Sequence, residues 1–253
     1  MDENQALAGV PAQGPHVTFP IPPTQAPRLP EPPLTNRSEV VLLAGSVIAL
    51  FLGITWVRLA AGAGMHPLRI TDARLWSTVA LEALVLAIWL PPLLRRGWTL
   101  RHATRQYENR DVLRGVGLAL GGWLAYAMVY GITVILSSTF VAWLGRGYQV
   151  TGTLSWWTIV GVALLNPVFE EFLYLGYVAN ALRRHGVMIA LAASVAVRVA
   201  LHLYQGPMAF VSILPLGIVF SWYYIRTGRI WPTIAAHTLL DAIAFAAIAY
   251  GGG

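Results

Sequence analysis

Polar positions divide this chain into long apolar blocks. Seven of them, 40–57, 75–94, 113–136, 156–182, 187–205, 207–225 and 231–250, approach the roughly 20 residues that a helix needs to cross a bilayer. Blocks of this length are too long for strands and too apolar to be solvated as loops. The pattern therefore predicts an all-α fold, a polytopic transmembrane helical bundle of about seven spans. The stretch 95–114 between the second and third blocks is polar and rich in arginine, which predicts an interfacial helix or loop. The stretch 137–154 reads as a loop whose Phe140, Trp143 and Tyr148 are suited to the interface. No internal repeat is visible.

Residues 1–36 differ in kind. Nine of the 16 prolines lie there, in runs such as Pro20-Ile21-Pro22-Pro23 and Pro30-Glu31-Pro32-Pro33. Such a composition cannot bury a core and predicts a disordered, partly polyproline tail, read as a spacer in preference to a proline-rich ligand. It lacks the basic start and short apolar core of a cleaved signal peptide, so the first apolar helix is expected to direct insertion. The chain thus divides into two parts, the tail at 1–36 and a transmembrane domain at 37–253.

Composition narrows the class further. Hydrophobic residues make up 57% of the chain and charged residues only 11%, against about 25% charged in soluble domains. The absence of cysteine excludes disulfides, thiolate catalysis and cysteine-ligated zinc. The net charge is +6, and all 17 basic residues are arginine. They flank apolar blocks and form no single patch, so the expected partner surface is a lipid bilayer and no nucleic acid. With the N-terminus inside, 12 arginines fall on the inner side and 4 (Arg58, Arg69, Arg74, Arg146) on the outer. This bias predicts a multi-pass protein of the cell (inner) membrane with a cytoplasmic N-terminus and an external C-terminus. The Ala- and Leu-rich, lysine-free composition reads as bacterial.

Ionisable residues inside the blocks are few: Glu82, Glu170, Glu171, Arg198, His202, His237 and Asp241. A charge at mid-bilayer costs roughly 3 kcal/mol or more, so each needs a partner, a wet cavity or a function. Glu170 and Glu171 are neighbours and point about 100° apart on a helix, so at least one faces the bundle interior. Arg198 and His202 are four residues apart on one face, as are His237 and Asp241. Asp241 can accept a hydrogen bond from the His237 ring and fix its tautomer. Three late helices thus each offer one polar stripe, against the structural alternative of satisfied packing pairs. Arg198 requires an anionic partner among Glu82, Glu170, Glu171 and Asp241.

These residues in this order resemble the CPBP family, the CAAX-prenyl-protease and bacteriocin-processing (ABI) intramembrane proteases. That family shows Glu-Glu-x-x-x-Arg, then Phe-x-x-x-His, then His-x-x-x-Asn or Asp. Glu170-Glu171, His202, and His237 with Asp241 match the three motifs, over about residues 155–250. Two positions depart: Leu175 stands in the place of the motif arginine, and Arg198 in that of the phenylalanine. Arg198 is expected to supply, by pairing with Glu170 or Glu171, the cation that Leu175 lacks.

The resemblance implies an intramembrane endopeptidase acting on a membrane-associated peptide or protein, with Glu170, Glu171, His202, His237 and Asp241 as catalytic residues and Arg198 in support. Two chemical versions fit. In the metalloprotease version Glu171, His202 and His237 hold Zn²⁺ and the other glutamate works on its bound water. In the metal-free version a glutamate activates water directly, and the histidines, or a protonated Asp241, stabilise the oxyanion. The alternatives are a non-catalytic relative acting as membrane chaperone or immunity factor, and a proton-coupled transporter using the buried acids as a relay.

Overall fold

The structure is a computed structural model that describes residues 37–60, 70–137, 139, 153–205 and 208–250. The proline-rich tail, Phe140, Trp143, Tyr148 and the Gly206-Pro207 break lie outside the described residues. Among those described, every regular element is a helix. The α-helices of four or more residues are α1 (Arg37–Ala60), α2 (Asp72–Arg95), α3 (Leu100–Ala103), α4 (Arg110–Leu136), α5 (Trp156–Glu171), α6 (Val187–Leu201), α7 (Met208–Thr227) and α8 (Trp231–Tyr250).

Among the described residues five helices are long and apolar enough to cross a membrane: Asp72–Arg95, Arg110–Leu136, Trp156–His185, Phe210–Thr227 and Trp231–Tyr250. The other two expected spans are shorter. The apolar part of α1 is Val41–Val57, and α6 has only 15 residues, a rise of about 22 Å. His202 closes α6 early, with its ring nitrogen on the carbonyl oxygen of Arg198, so this helix ends within the bundle. Outward faces carry large apolar side chains such as Trp56, Leu84, Leu120, Ile135 and Leu164, which suits hydrocarbon surroundings.

Helix α8 packs on α4 and α5, α7 on α4 and α6, and α2 on α5. Gly115 on α4 allows the close approach to α8, since a Cβ there would meet the Ala235 Cβ at 2.6 Å. Two polar clamps hold opposite ends of the bundle. At one end Asp72 accepts hydrogen bonds from Ser155 N at 3.0 Å and Ser155 Oγ at 2.7 Å, and Trp76 Nε1 donates to Thr158 Oγ1 at 3.0 Å. The other end is built on the Arg-rich stretch, where buried Asp111 accepts from Arg114 at 2.6 Å and from Arg229 at 3.2 Å. Nearby, Tyr224 donates to the Ala103 carbonyl at 2.5 Å, Asn180 to the His102 carbonyl, and the Ile230 amide to Thr104 Oγ1 at 3.1 Å. The segment expected as an interfacial helix or loop is therefore a strap, tied by hydrogen bonds to Asn180, to Tyr224 near the end of α7 and to Ile230 just before α8.

Directly after Glu171, α5 changes to a π-helical stretch, Phe172–Ala179, before one last α turn at Asn180–Leu182. An inserted π register rotates the residues after it relative to those before it, and such stretches are commonly found at functional sites. Here it buries Tyr174, Leu175, Tyr177 and Val178 in the main apolar core, together with Tyr224, Ile225 and Ile230.

Candidate active site

The three polar stripes meet. Glu170 and Glu171 sit at the end of α5, Arg198 near the end of α6, His202 at its cap, and His237 and Asp241 on α8. Because the glutamates diverge around the helix, they acquire different partners. Glu171 is fully buried and receives Arg198 Nη2 on both oxygens, at 2.7 and 2.8 Å. His237 Nδ1 lies 2.8 Å from Glu171 Oε1. A carboxylate can only accept, so the Nδ1–H donates.

Glu170 faces the other way. Its Oε1 lies 3.7 Å from His202 Nε2 and 3.4 Å from the Asn166 side-chain amide. Its Oε2 lies 3.9 Å from His237 Nε2 and has no hydrogen-bond partner. His202 Nδ1 is 2.8 Å from the carbonyl oxygen of Arg198, so that nitrogen donates and Nε2 is left toward Glu170. Asp241 Oδ1 is 3.6 Å from His237 Nε2, and Asn166 bridges to Asp241 Oδ2 at 3.4 Å. Both imidazoles thus turn their Nε2 atoms toward Glu170, at the wall of a cavity of about 290 Å³ that Glu82, Asn166 and Asp241 also line.

Arg198 is held from several sides. Its guanidinium stacks over the Tyr174 ring at 4.4 Å and lies 5.6 Å from the Phe220 ring centre. Gly217 of α7 makes room for it, since a Cβ at that position would stand 3.2 Å from Arg198 Cδ. Of the four anionic partners open to Arg198, the geometry selects Glu171. Leu175, at the place of the motif arginine, is fully buried in the apolar core.

The expected zinc set of Glu171, His202 and His237 does not fit these positions. Both Glu171 oxygens face the Arg198 guanidinium, and a dication bound to them would be repelled by it. Among the described residues no three His, Asp or Glu side chains stand in an arrangement that could hold a metal ion.

Sequence reasoning passed over Asn166, Tyr174 and Gly217. Asn166 carried a signal, a polar residue one turn before Glu170 in an apolar helix. Tyr174 and Gly217 carried none, because aromatic and glycine residues are common in such helices.

Comparison with known proteins bears on the same residues. Residues 151–243 match the Rce1-like family of type II CAAX prenyl endopeptidases. The matched stretch contains α5, the π segment, α6, α7 and most of α8, and with them Glu170, Glu171, Arg198, His202, His237 and Asp241. Glu82 and the strap at 96–109 lie outside the Rce1-like stretch. No curated protein and no solved structure matches the chain.

Proposed function

We propose that this protein is an intramembrane endopeptidase of CAAX-protease type, working without a metal and using Glu170 as its general base. The carrying observation is the division of labour between the two glutamates. Glu171 is locked by Arg198 and His237, whereas Glu170 keeps an oxygen without a hydrogen-bond partner and faces two imidazole nitrogens.

In the proposed reaction a water lies between Glu170 and His202. Its oxygen attacks the scissile carbonyl carbon as Glu170 takes one proton, and the water's other hydrogen is held in a hydrogen bond to His202 Nε2. Negative charge develops on the carbonyl oxygen. His237, doubly protonated between Glu171 and Asp241, donates its Nε2–H to that oxyanion. Glu170 then passes its proton to the amide nitrogen, the C–N bond breaks, and the new carboxylic acid gives its remaining proton to the amine, so that a carboxylate and an ammonium leave. Glu171 and Arg198 do not touch the reacting atoms, and they position His237 and the end of α6. The substrate is a membrane-associated peptide or protein, and the N-terminal side of the bundle is cytoplasmic, by the arginine distribution.

The test is cleavage by the purified protein in lipid vesicles. Farnesylated C-terminal peptides and unprenylated membrane-anchored peptides are offered, and products are read by mass spectrometry. Cleavage of one class at a defined bond is expected. A folded protein that cleaves neither class contradicts the reading and leaves a non-catalytic relative.

A further inference from the structure

Glu82 is the buried acid that the mechanism does not use. It lies on α2, is 3% exposed, and faces the same cavity as Glu170 and Asp241. No described residue gives it an ion pair or a hydrogen bond. Among the described residues that line the cavity, acids outnumber arginines. The acids are Glu82, Glu170 and Asp241, and the arginine, Arg198, spends Nη2 on both oxygens of Glu171 behind the wall. His237 and His202 are turned toward Glu170, Glu171 and Asp241. A second atom points into the same space: Glu170 Oε2, on a residue 7% exposed, is without a hydrogen-bond partner. An unpaired carboxylate in a low-dielectric pocket is costly, so such a group takes up a proton when the pocket is empty and is met best by a cation when it is filled.

We propose that Glu82 and Asp241 form an acidic subsite that receives a cationic side chain, lysine or arginine, of the substrate beside the bond presented to Glu170. The proposal rests on the endopeptidase reading for the identity of its ligand as a substrate. The geometry suits such a group. The cavity of about 290 Å³ is at the small end of ligand pockets, which fits a side chain better than a whole folded element. Its remaining walls are largely apolar, with Phe51, Leu75, Leu216 and Phe245 among them. They would sheath the methylene stem of a lysine or arginine while the charged end reaches the carboxylates. Glu82 comes from outside the Rce1-like stretch, so this preference would belong to this chain's own α2.

The experiment separates binding from cleavage. Two probes, N-octanoyl-Leu-Lys-Leu-amide and N-octanoyl-Leu-Gln-Leu-amide, are titrated against the purified protein in detergent, and affinity is read from the shift in thermal midpoint. The wild type should bind the lysine probe about tenfold more tightly than the glutamine probe, about 1.4 kcal/mol. In Glu82→Gln the two affinities should come within about twofold of each other, and Glu82→Asp should retain part of the preference. Equal affinity of the wild type for both probes overturns the proposal, whatever the variants do. So does an undiminished lysine preference in folded Glu82→Gln. A lysine preference in a protein that cleaves no peptide supports the subsite and defeats the endopeptidase reading. Cleavage without a lysine preference does the reverse.

Discussion

Removing the cation from the Arg198–Glu171 pair tests the inner frame of the site. Arg198 is 3% exposed and Glu171 fully buried, and Nη2 meets the two carboxylate oxygens at 2.7 and 2.8 Å. Arg198→Leu leaves Glu171 charged with only His237 as a partner. Breaking a buried pair from one side typically costs about 3–5 kcal/mol. Loss of the stacking on Tyr174 adds to that, up to about 2 kcal/mol for a desolvated contact. The assay is reversible unfolding in mixed micelles, followed by far-UV circular dichroism. Arg198→Leu should lose at least about 3 kcal/mol. The double variant Arg198→Leu with Glu171→Gln should be less destabilised than Arg198→Leu alone, because no unpaired charge remains. Adding Leu175→Arg to Arg198→Leu should restore only part of the loss. The new guanidinium must enter a fully packed core, where overpacking costs about 1–3 kcal/mol. If Arg198→Leu is within about 1 kcal/mol of wild type, the pair is not what holds Glu171.

The same contacts give further expectations. Gly217→Ala brings a Cβ to 3.2 Å from Arg198 Cδ, and should lower stability by about 1 kcal/mol and displace the guanidinium, measured by thermal unfolding and by peptide turnover; unchanged values for both refute the close fit. Chelation of divalent metals by 1,10-phenanthroline should leave peptide cleavage unchanged, and inhibition reversed by added zinc would restore the metalloprotease version. Glu108 lies outside the spanning helices, and hydrogen bonds from Arg114 and then Arg229 hold its carboxyl below the usual carboxylate range. Its folded pKa lies below the unfolded one. Its stabilising contribution is therefore present above about pH 4.3 and is lost as pH falls through the folded value. The gap in thermal midpoint between wild type and Glu108→Gln should close on acidification, and a widening gap contradicts this. A reporter that works only when exported should be active when fused after Tyr250, and activity there of one that works only in the cytoplasm would overturn the arginine-based orientation.

Much of this organisation could be read from the chain, for identifiable reasons. Apolar blocks of near-bilayer length are a strong signal, and the helix at Trp231–Tyr250 runs over the span expected for it. The stripes at Arg198/His202 and His237/Asp241 are set by the four-residue period alone. Helix rotation, by contrast, cannot be had from spacing. Adjacent glutamates must diverge, but only packing of α5 against α6 and α8 assigns Glu171 to Arg198 and Glu170 to the cavity. The π stretch after Glu171 has no sequence signature, because its residues suit an α-helix equally well. The shortness of α6 was hidden for a related reason. Leu203, Tyr204 and Gln205 continue the block in composition, while His202 ends the helix through its own hydrogen bond. Glu82 was legible as a buried acid, but its neighbours across the cavity were not.

The central claim is that Glu170, and not Glu171, is the base. Its most direct test is turnover in H₂¹⁸O with a peptide that the wild type cleaves, comparing wild type, Glu170→Gln and Glu171→Gln, each checked for folding. Wild type should place one ¹⁸O atom in the new carboxylate. Glu170→Gln should lose about 10²–10⁴ in kcat with a near-native thermal midpoint. Glu171→Gln should lose stability and activity together. Wild-type turnover by folded Glu170→Gln would contradict the claim.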